Sequence, residues 1–391
     1  MLKPIFTRLI FCILFISTTT FANTRIEVAA ERTQLYLPLL KNQRVALFAN
    51  QSSLVKRQHL LDVLLANHIH VTKIFTPEHG FRGDVDEKVK DGVDPKTGIP
   101  IVSLYGKKLK PTAVDLQDVD VIVFDIQDVG VRFYTYISSL QKIIEAAVDN
   151  HKQLIILDRP NPNGFYVDGP VLDMKYKSFT GMQPIPIVYG MTMGEYAKML
   201  VGEEWLDVTP KTKSHDLQLT VIPNKHYTHQ SYYEPPVKPS PNLPTIQSIY
   251  WYPAIGLIES TVISVGRGTD TPFQVFGHPT LPQKFTFIPT AKPWSAYPPF
   301  KNKICHGWNL QGSKQQTLQR IHHQFQIKYL LEAYRYFPNK THFFDGLDKA
   351  AGTDELAKQI AAGESEQAIR ASWQPKLIAF KKIRQKYLLY P

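Results

Sequence analysis

Val119-Asp120-Val121-Ile122-Val123-Phe124-Asp125-Ile126-Gln127 (VDVIVFDIQ, residues 119–127) is the stretch that decides the fold. Its centre is a short run of β-branched and aromatic residues that ends in carboxylate and amide side chains, the pattern of a strand covered on both faces. Upstream, Arg44 to Asn50 (RVALFAN) and Val71 to Pro77 (VTKIFTP) have the same character, and Ile99 to Tyr105 reads as a shorter strand. Gln153 to Pro160 (QLIILDRP) closes the series. Between these runs lie His59 to His68, with leucines at helical spacing, and Ser138 to Asn150. Apolar strands alternating with helices predict an α/β fold, a Rossmann-like, doubly wound parallel sheet over residues 23–170. The turn-rich stretch Asp158 to Gly164 (DRPNPNG) marks its expected end. Residues 171–391 mix helices with short strands and read as a second, smaller α/β domain. Within it Pro235 to Pro244 (PPVKPSPNLP) is expected to be a stiff extended loop, because proline fixes φ and removes a donor. A chain of 391 residues is long enough for two cores.

The first residues have the layout of a secretory signal. Lys3 and Arg8 give a positive start, Leu9 to Ile16 an apolar stretch, and Thr20-Phe21-Ala22 a small-residue cleavage pattern. Residues 1–22 are therefore expected to be removed, leaving an exported chain, periplasmic or secreted, that begins near Asn23. Cys12 leaves with this segment, and Cys305 alone supports neither an intramolecular disulfide nor a cysteine metal site. No later segment is apolar enough to insert stably into a membrane. The formal charge is +11, and loss of Lys3 and Arg8 makes it +9. That favours anionic partners, yet the lysines are spread along the chain and export argues against nucleic acid. No G-x-G-x-x-G or P-loop follows the first strand, which continues Asn50-Gln51-Ser52-Ser53, so no nucleotide cofactor is expected.

Open parallel sheets bind ligands beyond the carboxyl ends of their strands. Here the strand ends carry polar groups: Asn50; Glu78 and His79 in Pro77-Glu78-His79-Gly80; Asp125, Gln127 and Asp128, followed by Arg132; and Asp158. Glu78, held between Pro77 and Gly80, is the candidate general acid, and His79 its orienting neighbour or a substrate contact. Arg132 matches an anionic group in bidentate fashion, or pairs with Asp125 or Asp128. Glu195 in Thr192-Met193-Gly194-Glu195 fits a helix capping box and reads as structural. Glu259 precedes an expected apolar strand and then Gly266-Arg267-Gly268-Thr269, in which glycines flank a guanidinium. Two carboxylates across a cleft are the usual equipment of glycoside hydrolysis. Tyr134, Tyr136, Tyr250, Trp251 and Tyr252 offer surfaces for sugar rings or for ordinary packing.

An ordered set of motifs resembles the exo-acting β-N-acetylmuramidases of the NamZ type. The set is Phe75 to Gly83 (FTPEHGFRG), Asp125 to Tyr136 (DIQDVGVRFYTY), Leu157 to Gly164 (LDRPNPNG), Gly190 to Glu195 (GMTMGE), Pro239 to Thr245 (PSPNLPT) and Tyr252 to Phe273 with Ser264 to Thr269 (SVGRGT). The resemblance implies a Rossmann-like domain joined to a second α/β domain with the active cleft between them. It also implies release of terminal N-acetylmuramic acid from non-reducing ends of peptidoglycan fragments, without a metal or other cofactor. It carries the catalytic acid onto Glu78. Asn161, Asn242 and Thr269, which stand in three of these motifs, join the expected substrate-binding set. Two other readings remain: a non-catalytic periplasmic glycan-binding protein, and a hydrolase of another cell-wall bond. The second lacks a G-x-S-x-G elbow that would support a serine nucleophile.

Overall fold

The computed structural model describes residues 25–81 and 90–391. The expected leader, and Arg82 and Gly83 of the first motif, lie outside the described residues. Seven strands form the main sheet, in the spatial order Leu219–Ile222, Gln153–Leu157, Val121–Asp125, Arg44–Ala49, His70–Thr76, Pro100–Ser103, Gly92–Val93. All neighbours run parallel except the last pair, where Gly92–Val93 is antiparallel to Pro100–Ser103. The chain starts in the middle of the sheet, builds outward on one side, then returns to build the other. The strand order reverses between Arg44–Ala49 and Val121–Asp125.

Alternate residues of each central strand feed opposite layers, which is what makes the sheet doubly wound. Ala46, Phe48, Ile122, Phe124, Leu154 and Ile156 join one core with the helices Tyr136–Asp149 and Met193–Gly202. Val45, Leu47, Val121, Val123, Ile155 and Leu157 join another with Leu60, Leu61 and Leu64 of the helix Leu60–Ala66. The first core runs on into the C-terminal part through Trp251, Ile255, Phe276, Leu330 and Trp373. That part holds a three-stranded antiparallel sheet, Val275–His278, Cys305–Asn309 and Phe285–Phe287 in spatial order, and the helices Ile246–Ile258, Lys314–Ile321, Lys328–Tyr336 and Glu366–Gln385 among others. Thr192 and Glu195 form the expected capping box on the helix Met193–Gly202. Among the described residues no helix is long and apolar enough to cross a membrane.

The division at residue 170 is corrected by the sheet itself. Leu219–Ile222 pairs in register with Leu154 to Leu157, so the first unit extends past residue 170. The reason lies in Asp158 to Gly164, which is a buried strand-end loop and no linker. Asn163 donates to the Val129 (2.9 Å) and Ile249 (3.1 Å) carbonyls, and Asn161 donates to the Met191 carbonyl (2.8 Å). Polar turn residues here satisfy backbone groups inside the protein, where an unpaired carbonyl is costly.

Candidate active site

The strand His70–Thr76 is followed by Pro77, and the chain then turns sharply. His79 and Gly80 both adopt left-handed backbone (φ 70° and 75°), and the Gly80 N–H closes the turn on the Pro77 carbonyl (3.1 Å). A non-glycine residue in that conformation costs about 1–2 kcal/mol, and such positions cluster at functional sites. The turn presents Glu78, half-buried, to a cavity of about 540 Å³. Thr135 Oγ1 donates to Glu78 Oε2 at 3.1 Å and fixes one carboxylate oxygen.

The cavity lies between the sheet and the C-terminal part. Glu78, His79, Tyr105 and the segment Phe133 to Tyr136 line it from the sheet side. Ser240, Asn242, Tyr252, Arg267, Phe273 and the loop from Pro293 to Tyr297 line it from the other. Its aromatic residues interlock edge to face: Tyr134 on Tyr136 (4.7 Å between ring centres), Tyr134 on Tyr252 (5.8 Å) and Tyr252 on Phe273 (5.0 Å). Burial, with the Glu78 carboxylate adding to it, pushes the Tyr136 phenol up, so it stays a hydroxyl. That hydroxyl donates to the Pro239 carbonyl (3.3 Å) and accepts from Asn50 Nδ2 (3.0 Å). The Tyr252 phenol is also raised by burial first and by the Glu259 carboxylate second, with Arg267 opposing. Tyr250 and Trp251, in contrast, are core residues.

Arg267 reaches this cavity by a different route. Glu259 caps the C-terminus of the helix Ile246–Ile258, where the sequence suggested the approach to a strand, and both its oxygens accept from the Arg267 guanidinium (3.0 Å for Nη2 to Oε2). The guanidinium also lies over the Phe273 ring, 5.2 Å from its centre. Glu259 thus stands behind Arg267 as its positioning partner and is not itself in the cavity wall. Thr269 is corrected too: its hydroxyl donates to the Gly266 carbonyl (2.7 Å) and accepts from the Thr271 N–H (3.2 Å), stapling the loop that carries Arg267. Asn242 lines the cavity while its Nδ2 donates to the Trp294 carbonyl (3.1 Å).

The remaining strand-end residues are not cavity contacts, and each has an internal job. Asn50 Oδ1 accepts from the Ser52 N–H (2.9 Å) and hydroxyl (2.6 Å). Ser53 donates to the Asp125 carbonyl, and Ser52 accepts from the Gln127 N–H (3.0 Å). The crevice where strand order reverses is therefore filled by its own loop. Asp125 is paired with Arg159 (2.9 Å for Nη2 to Oδ2), both fully buried. Gln127 Nε2 donates to the Asp128 and Pro160 carbonyls, both at 2.8 Å. Asp128 accepts from the Tyr189 hydroxyl and the Gly130 N–H (2.6 Å), and burial pushes its carboxyl up to about 6. Gly130 is a glycine by necessity: at φ 75° a Cβ would fall 2.1 Å from Asn161 Oδ1. Asp158 accepts from Tyr390 (2.6 Å) and the Gly194 N–H (2.8 Å), and burial pushes it up to about 7.

Arg132 is the largest departure from expectation. It is fully buried, and its guanidinium donates to the carbonyls of Pro170 (2.9 Å), Ile185 (2.8 Å) and Ala350 (2.8 Å). It pairs with neither Asp125 nor Asp128 in these contacts and ties the C-terminal helices to the first unit. The cavity thus keeps Glu78, His79, Tyr134, Tyr136, Asn242, Tyr252 and Arg267 from the expected candidates. It adds Tyr105, Thr135, Phe273 and the loop from Pro293 to Tyr297, which sequence reasoning missed. Only the aromatic and proline content of that loop hints at a wall.

Models of the N-terminal and C-terminal parts of exo-β-N-acetylmuramidase NamZ match residues 45–247 and 250–390. The chain belongs to the NamZ family. The two matches meet beyond the strand Leu219–Ile222, in keeping with the extended sheet. The peptidoglycan β-N-acetylmuramidase NamZ of Bacillus subtilis (strain 168) is 37% identical over 378 residues, covering 91% of this chain and 89% of that protein. Two solved DUF1343 family proteins from Bacteroides fragilis NCTC 9343 share the fold. One has a TM-score of 0.86 at 44% identity, the other 0.75 at 28%, each covering 94% of this chain and 99% of the other. Membership in NamZ makes the protein a glycoside hydrolase.

Proposed function

We propose that this NamZ protein removes terminal N-acetylmuramic acid from the non-reducing ends of peptidoglycan fragments, with Glu78 as the general acid. The observation that carries the reading is the placement of Glu78, a carboxylic acid on a defined turn at a parallel strand end, facing an aromatic-walled cavity. A glycosidic oxygen leaving against that wall takes its proton from Glu78, while Thr135 holds the other carboxylate oxygen. Muramic acid differs from N-acetylglucosamine by an anionic lactyl group, and among the described residues Arg267 puts a guanidinium in the cavity wall that suits it. The cavity volume is in the range of small-ligand sites and suits one chain end. Action outside the cytoplasm follows from the signal-like first residues and from the location of peptidoglycan.

The test is Glu78→Gln on a muramic acid–glucosamine disaccharide. Turnover should fall by about 10²- to 10⁴-fold, the usual contribution of general acid catalysis, while sugar binding persists. A β-glycosyl fluoride of N-acetylmuramic acid, whose leaving group needs little protonation, should lose much less. Near-normal turnover of the disaccharide by Glu78→Gln would move the acid to another residue. A wild-type protein that binds both compounds and cleaves neither would be a glycan-binding module.

A further inference from the structure

Tyr297 lines the cavity yet is 91% exposed, the barest of the exposed large hydrophobic side chains among the described residues. Glu78 and Arg267 lie deeper, each only partly accessible. A tyrosine ring left in water on the lip of an active cavity is unlike a scattered surface apolar residue, because whatever occupies the cavity must pass it.

The loop beneath that ring is fastened at many points. Lys292 and Ser295 exchange backbone hydrogen bonds (3.0 and 2.9 Å), and the Thr290 N–H donates to the Gly268 carbonyl (2.9 Å). Lys292 Nζ reaches Asp270 (2.9 Å), and the Trp294 carbonyl accepts from Asn242. Gly268 is packed so closely that a Cβ there would meet Pro298 Cγ at 2.6 Å. The loop is thereby pinned to the same Gly266–Asp270 turn that carries Arg267, and to Asn242 in the cavity wall. Tyr297 is followed by Pro298 and Pro299, which restrict the backbone further. Its position is held in register with the site while its ring stays open to solvent among the described residues. Preorganised aromatic surface of this kind binds a flat apolar face with little ordering cost.

We propose that Tyr297 is the stacking platform for the leaving-group sugar, the pyranose on the far side of the bond that Glu78 protonates. The inference rests on the proposed muramidase reading. If the terminal sugar is held at the depth of Glu78 and Arg267, the next sugar lies toward solvent, at the lip that Tyr297 forms. A pyranose offers a face of C–H groups to an aromatic ring and carries no charge that would need a partner there. Tyr297 then sets the preference for a saccharide leaving group and contributes to binding without touching the reacting atoms.

The experiment compares KM and kcat for the muramic acid–glucosamine disaccharide with those for the muramyl β-fluoride, whose leaving group is too small to reach the ring. Aromatic contacts are worth about 0.5–1.5 kcal/mol, so Tyr297→Ala should raise the disaccharide-to-fluoride KM ratio about two- to tenfold. Tyr297→Phe should keep the ratio near that of the wild type, since stacking needs the ring and not the hydroxyl. An unchanged ratio in an active Tyr297→Ala enzyme overturns the platform alone. An effect that appears only with substrates bearing a stem peptide would overturn it as well, and would make Tyr297 a peptide contact. Wild-type protein that cleaves neither compound defeats the muramidase reading, and the platform with it.

Discussion

Arg267→Ala is the substitution that asks most of the site. In the structure the Arg267 guanidinium is shared between Glu259, which holds it from behind, and the cavity, where it lies over Phe273. If it binds the lactyl carboxylate, its removal deletes a charge-assisted hydrogen bond worth about 1.5–3 kcal/mol, or about 10- to 150-fold. It also leaves Glu259 without this partner, close to an incoming anion. Two like charges about 6 Å apart at an effective dielectric near 20 repel by about 3 kcal/mol, less after screening by water and salt. The two effects act together only on a substrate that carries the carboxylate. We expect kcat/KM for muramyl β-fluoride to fall about 10²-fold or more, and that for the matching glucosaminyl fluoride by less than about tenfold.

Inhibition by free N-acetylmuramic acid and by N-acetylglucosamine gives the same comparison as a binding measurement. The double variant Glu259→Gln/Arg267→Ala separates repulsion from structural damage. Removing the orphaned negative charge should recover part of the muramic-specific loss, about tenfold, while a collapsed loop would recover nothing. Losses of equal size on both sugars would refute the reasoning and make the Glu259–Arg267 pair a structural brace.

Two further predictions concern the fold's buried acids and the proposed export leader. Asp158 and Asp128 are raised by burial to about 7 and about 6 from an ordinary value of 3.8, so the folded state binds protons that the unfolded state has released. Their ionisation is then costly in the folded state. Stability should be highest near pH 4 as far as these groups contribute, and decline as pH rises towards about 7. Thermal melting between about pH 4 and pH 8 checks this, and Asp158→Asn should flatten the decline; an identical slope in the variant would remove Asp158 as a cause. N-terminal sequencing of protein recovered outside the cytoplasm should begin near Asn23, and intact Met1 in a membrane fraction would contradict export.

The sheet was legible because Arg44–Ala49, Val121–Asp125 and Gln153–Leu157 are nearly all buried, and full burial leaves an unbroken apolar run in the sequence. Leu219–Ile222 escaped although its β-branched residues favour a strand, because it is a four-residue edge strand buried only at Ile222 and too short to show a period. The position of Glu78 on a strand-end turn was legible because Pro77 and Gly80 bracket it directly after an apolar run. The other strand-end polar residues carried the same signal for a different reason. Buried loops at strand ends need internal donors and acceptors, and sequence does not distinguish a side chain that serves a ligand from one that serves a backbone carbonyl. Arg132 shows the limit: its carbonyl partners Pro170, Ile185 and Ala350 lie 38, 53 and 218 residues further along the chain, and nothing local announces them. The site's location follows from the same packing. Asn50, Ser52 and Ser53 fill the crevice between Arg44–Ala49 and Val121–Asp125, where a doubly wound sheet ordinarily takes its ligand. With that position closed, the open end of the sheet is displaced by one strand to the end of His70–Thr76. The turn that carries Glu78 stands there, and the C-terminal part supplies the opposite wall.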